Sequence, residues 1–152
     1  MKGITKKFCI ESHFIFFFIS LFCIVSCTTK KDDSLNVIID DAYINLPLKG
    51  QMMSAGYFKL FNSSNTPKVL NKIICEGVNA SFHTSYMNSE GMMVMEPIED
   101  LEVQSNSEVV FQPGSNHVMI SGLNGSLSAG TKLECNLIID TILDLPIIFK
   151  LK

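Results

Sequence analysis

The chain contains no arginine, and all 12 of its basic residues are lysine. Bidentate recognition of phosphate or of a base edge leans on the guanidinium fork. The net charge of −3 and the lack of any basic stretch weaken a nucleic-acid role further. Charged residues make up only 18% of the chain, below the roughly 25% of an average soluble domain. No CxxC pair is present, so thioredoxin-like and zinc-ribbon readings have no support. No Ser/His/Asp set, no glycine-rich phosphate loop and no close carboxylate pair beside a base can be assigned. An enzyme is therefore not indicated, and the acidic cluster Glu99, Asp100 and Glu102 reads as a solvated loop. Repeats and low-complexity tracts are also missing. The longest apolar run, Phe14 to Ser26, has 13 residues, too few for a spanning helix, which needs about 20.

What is present begins with an export pattern. Lys2, Lys6 and Lys7 form a positive n-region, and the run from Phe14 serves as the h-region of a signal peptide. It ends in Ile24-Val25-Ser26-Cys27, which resembles a lipobox. The resemblance implies cleavage before Cys27 and a diacylglyceryl anchor on that cysteine. Residues 1–26 are then a lipoprotein leader. Residues 27–35 are the lipidated Cys and a polar tether, and residues 36–152 are the folded domain. The same resemblance implies outer-membrane sorting, because Thr28 rather than Asp follows the cysteine. Cys9 and Cys23 leave with the leader, so Cys75 and Cys135 alone remain in the domain. An oxidising compartment permits a disulfide between them, and a pair of buried thiols is equally compatible with the sequence.

From Asn36 onward the pattern is β. Segments rich in Val, Ile, Phe and Tyr alternate with Gly, Pro, Asn and Ser. Strands are predicted over 36–45, 55–62, 68–76, 80–87, 93–97, 107–112, 116–121, 131–139 and 145–151. Turns are predicted at Lys49-Gly50, Asn62 to Asn65, Asn88 to Gly91, Pro113 to Ser115 and Asn124-Gly125. No helical period stands out past the leader. Many short strands with frequent turns predict an all-β sandwich or small barrel.

The domain holds only two histidines, His83 and His117, while seven of the eight methionines lie beyond the leader. On a strand, residues i and i+2 share a face. His117 and Met119 therefore project together, leaving Val118 and Ile120 for the core. A hairpin through Asn88 to Gly91 brings His83 back toward Met92, Met93 and Met95, of which Met93 and Met95 share a face. Thioether sulfur is soft and uncharged and selects Cu(I) over harder divalent ions. Zinc sites favour Cys, His and carboxylate, and no Asp or Glu accompanies the His-x-Met pair.

These residues resemble the copper-binding motif of the PCu(A)C periplasmic copper chaperone family. That motif is a His, an adjacent position, ten residues, a Met, twenty-one residues, then His-x-Met. His83, Thr84, Met95 and His117-Val118-Met119 keep that spacing throughout. Ala55 to Asn62, Gly91 to Met95, Phe111 to His117 and Leu127 to Gly130 resemble flanking segments of the family. Ser115 stands where a second Gly is usual, Val94 where a basic residue is usual, and Thr84 where Met or an acidic residue is common. The resemblance implies a cupredoxin-like Greek-key β-sandwich that binds Cu(I) through His83, Met95, His117 and Met119, with Met93 left open as an alternative ligand. It further implies a periplasmic metallochaperone delivering copper for CuA assembly in cytochrome c oxidase, to subunit II or through a Sco-type protein. Blue-copper chemistry is not expected, since it needs a Cys ligand. Two other functions stay open. One is copper storage or resistance, drawing on Met52, Met53, Met87, Met92 and Met93. The other is a metal-free β-sandwich lipoprotein that binds a protein partner.

Overall fold

The computed structural model describes residues 36–123 and 128–152. The leader, Cys27, the tether and the Asn124-Gly125 turn lie outside the described residues. The described residues form ten strands: β1 (Val37–Ile44), β2 (Met53–Asn62), β3 (Lys68–Cys75), β4 (Asn79–Met87), β5 (Met93–Pro97), β6 (Leu101–Val103), β7 (Ser107–Phe111), β8 (His117–Ser121), β9 (Lys132–Ile139) and β10 (Leu143–Leu151). The nine predicted strands are all present, with ends displaced by at most two residues. The short β6 was not predicted. Glu102 therefore stands in a strand rather than in the solvated acidic loop expected there. It is exposed, while Val103 beside it is buried against the core.

The strands run in the order β5-β4-β8-β2-β1-β10-β9-β3-β6, with β7 also paired to β2. The sheet folds over at the β1–β10 seam, where two parallel pairs, Tyr43↔Lys150 and Ile44↔Leu151, join its halves. β1 reaches that seam through a bulge between Asp40 and Tyr43, where Asp41 takes a left-handed φ of 53°. The two layers enclose an aromatic core. Phe58 of β2 stacks on Phe111 of β7 with centroids 4.2 Å apart and meets Phe149 of β10 edge-on at 6.0 Å. Gly56 lies between the layers. A Cβ there would come within 3.2 Å of Ile120, 3.3 Å of Ile44 and 3.4 Å of Phe149. The fold is an all-β, cupredoxin-like sandwich.

Two features lock the layer opposite the histidines. Cys75 and Cys135 face each other across β3 and β9 and form a disulfide with an S–S distance of 1.99 Å. This settles the alternative that the sequence left open. Lys68, buried at the start of β3, pairs with Asp140 at 3.0 Å. At the sandwich's other seam, the fully buried Asn62 amide donates to the carbonyls of Thr66, Val103 and Gln104. Its Oδ1 accepts from the Ser64 amide and hydroxyl. A buried polar side chain is tolerable when its hydrogen bonds are all made.

Candidate metal centre

β2 offers one edge to two strands in succession. Met53 to Gly56 pair with β8, and Phe58 to Asn62 pair with β7. The chain between them, Gln112 to Asn116, closes a turn in which Gln112 N–H donates to Asn116 at 2.7 Å and Ser115 N–H to Gln112 at 3.2 Å. Gly114 there has φ 78°, a conformation that glycine adopts without strain. This turn delivers the chain into β8 at His117.

The pleat of β8 then divides its residues as predicted. Val118 and Ile120 are fully buried in the core, and His117 and Met119 project from the opposite face. β4 lies alongside in register, with His83 opposite His117, Phe82 opposite Val118 and Ser81 opposite Met119. Phe82 is a core residue, so His83 shares the outer face with His117. The two imidazole centroids are 5.9 Å apart. On β8's other side Met119 faces Ala55 of β2. Ser81 and Ala55 are both small, which leaves the Met119 thioether room on either flank. β5 adds Met95 opposite Ser85, and Pro97 opposite His83. Met95 is thus diagonal to His83, a separation that long side chains bridge.

Met95, His117 and Met119 line one open cavity of about 320 Å³ together with Met53, Ala55, Tyr57, Ser85 and Gly114. His83 stands beside it, across from His117. The structure therefore brings all four expected ligands onto one face of three neighbouring strands. Tyr57, Ser85 and the Ser115 carbonyl escaped the sequence reading. Tyr57 carried a readable signal, since it alternates with Ala55 on β2. Ser85 and Ser115 carried none, because only the β4–β8 alignment makes them neighbours.

Hydrogen bonding prepares the imidazoles. His117 is 5% exposed, and its Nδ1 lies 3.0 Å from the Ser115 carbonyl oxygen. A carbonyl only accepts, so Nδ1 carries the proton and Nε2 keeps a free lone pair. His83 places Nε2 3.1 Å from the Ser81 hydroxyl. Its Nδ1 is buried with no hydrogen-bond partner among the described residues. Burial, with the neighbouring His117 second, holds the His83 pKa below the ordinary imidazole value. A neutral ring with an unmet buried nitrogen has a lone pair that a metal ion could take. The donor set is imidazole and thioether only. Among the described residues no group of three or more His, Cys, Asp or Glu could hold a metal. Glu96, next to Met95, pairs with Thr84 on the opposite face, where it accepts a hydrogen bond from the Tyr86 hydroxyl at 2.9 Å. The set therefore fits a soft monovalent ion and suits hard ions poorly.

The LpqE-like lipoprotein family model matches residues 37–143. The chain belongs to this family. Among curated proteins no relative matches it. Solved structures give the LpqE-like chain its fold. The copper-bound PCuAC domain from PmoF2 superposes with a TM-score of 0.63 at 18% identity, covering 77% of this chain and 92% of that domain. The apo PCuAC domain from PmoF1 has a TM-score of 0.63 at 18% identity, with 77% and 93% covered. The Cu(I) form of DR1885 from Deinococcus radiodurans has a TM-score of 0.60 at 21% identity, with 76% of each chain covered. The LpqE-like chain thus has the architecture of PCuAC domains.

Proposed function

We propose that this LpqE-like chain is a non-enzymatic, extracytoplasmic Cu(I) carrier. It holds one ion through His83, Met95, His117 and Met119 and passes it to an acceptor protein. One observation carries the reading. Two imidazoles and two thioethers share one face of adjacent strands, with His117 Nε2 freed by its bond to Ser115. The copper-bound domain from PmoF2 and the Cu(I) form of DR1885, which share the fold, support it from outside. Neutral donors leave the bound ion with its own positive charge, and the open cavity leaves it reachable. Both favour ligand exchange with a partner over permanent storage.

The test is anaerobic Cu(I) titration against a competing chromophoric chelator, with His117→Ala and Met119→Ala alongside. One tight equivalent, weakened at least about tenfold in each variant, a cost of about 1.4 kcal/mol, is expected. Equal affinity in all three proteins would sink the proposal. The loaded form should be colourless, since no Cys stands in the set.

The acceptor we propose is the CuA centre of cytochrome c oxidase, reached at subunit II or through a Sco-type thiol protein. Anchoring through Cys27 to the periplasmic face of the outer membrane is part of the same proposal. It is supported by the lipobox-like Ile24 to Cys27 and by the lipoprotein family. Cys27→Ala should release the chain from membranes. Oxidase activity in cells lacking the chain should fall and recover with added copper.

A further inference from the structure

Methionine ordinarily fills gaps in a core, yet Met87 and Met93 are 62% and 61% exposed. They are cross-strand partners at the turn end of the β4–β5 hairpin. Directly opposed residues have Cβ atoms about 5 Å apart, and two flexible thioethers at that spacing can meet on one atom. Met95 follows Met93 by two residues, so it shares their face, opposite the small Ser85. The backbone beneath the pair is fixed. Asn88 N–H donates to Met92 O at 2.9 Å, and Asn88 Oδ1 accepts from the amides of Glu90 and Met92 at 3.0 and 2.9 Å. Core packing explains neither thioether, and the turn holds both in place.

We propose that Met87 and Met93, sharing Met95, form a second site for Cu(I), built from thioethers alone. The inference rests on the copper reading above and deepens it. Three neutral sulfurs lack imidazole donors and should hold the ion more weakly than the histidine set. Met95 belongs to both sets. An ion captured at the hairpin end reaches His83 and His117 by exchanging the other ligands around Met95, without release to water. No ligand in this outer site titrates, so it loads independently of pH.

The test uses the full chain with Cys9, Cys23 and Cys27 changed to Ser, so that no free thiol competes. It is labelled with 13C at the methionine methyls and titrated anaerobically with Cu(I). The first equivalent should move the Met95 and Met119 methyls, and the second those of Met87 and Met93. In the Met87→Leu/Met93→Leu variant the first equivalent should remain and the second should be lost. Movement of Met119 with Met87 and Met93 still at two equivalents overturns this inference and leaves the histidine site standing. So does a second equivalent that survives in the double variant. If no methyl moves, both readings fall.

Discussion

The disulfide between Cys75 and Cys135 gives a quantitative link between this fold and its compartment. The bridged residues are 60 apart in sequence. Closing a loop of that size removes about 14 cal/mol/K of entropy from the unfolded chain, or about 4 kcal/mol at 25 °C. Small domains have a total stability of only 5–15 kcal/mol, so the bridge supplies a large share. Cys75→Ala/Cys135→Ala, or anaerobic reduction of the native bridge, should each cost about 4 kcal/mol. With a urea dependence of about 1.5 kcal/mol/M, the unfolding midpoint should fall by roughly 2.5–3 M. Equilibrium urea unfolding followed by tyrosine fluorescence reads this directly. The two perturbations should agree, because both remove the same constraint. A midpoint that moves by less than about 0.5 M in either case would refute the reasoning. A large shift would mean that the domain reaches full stability only where thiols are oxidised.

Other outcomes follow from the site and the core. The His83 pKa is lowered in the folded state, so the unfolded chain binds the proton more readily. Stability carries no penalty above the unfolded value of about 6.5 and declines as pH falls below it toward the folded pKa. Thermal unfolding of the metal-free protein at pH 7 and pH 5 should show that decline, and His83→Gln should shrink it; an unchanged pH dependence would count against a buried neutral ring. Ala55→Leu would fill the space beside Met119. It should weaken Cu(I) binding about tenfold, a cost of about 1.4 kcal/mol, read by chelator competition; unaltered affinity would show that Met119 needs no room there. Gly56→Ala would press a methyl against Ile120, Ile44 and Phe149 and should cost about 1–3 kcal/mol in urea unfolding. Asn62→Ala strands three carbonyls and Ser64 and should cost about 2–3 kcal/mol by the same measurement.

Local pattern carried most of the fold. In His117-Val118-Met119-Ile120 the period of two was unbroken, and both inward residues are fully buried. The β4–β5 hairpin was legible for the same reason, since Asn88 and Gly91 mark its turn. β6 was not, because three residues at the end of the acidic run Glu99 to Glu102 carry too little period to count. Its pairing to β3 from Lys68 to Leu70 is a tertiary fact. The disulfide was equally hidden, as no local signal ties two cysteines so far apart. It is the β3–β9 register that aligns them. Strand period and donor chemistry pointed to His83, His117 and Met119 with one of Met92, Met93 and Met95, and the resemblance to the PCu(A)C motif implied Met95. The direct opposition of His83 and His117 was out of reach, because it depends on β4 pairing with a strand more than thirty residues onward. Nor could spacing show that Met87 would lie opposite Met93, or that Ser81 and Ala55 would leave room at Met119.

The Ser115 carbonyl oxygen serves two donors at once, the His117 ring at 3.0 Å and the Ser85 amide of β4 at 3.2 Å. One atom therefore fixes both the tilt of an imidazole and the seating of the strand that carries the other. The ordering cost of the nitrogen side is met when the chain folds, not when cargo arrives. The sulfur side has no such tie among the described residues, and a thioether side chain turns about three bonds. Loading then resembles a jaw closing on an anvil: the histidine wall stays still, and the motion belongs to the methionines.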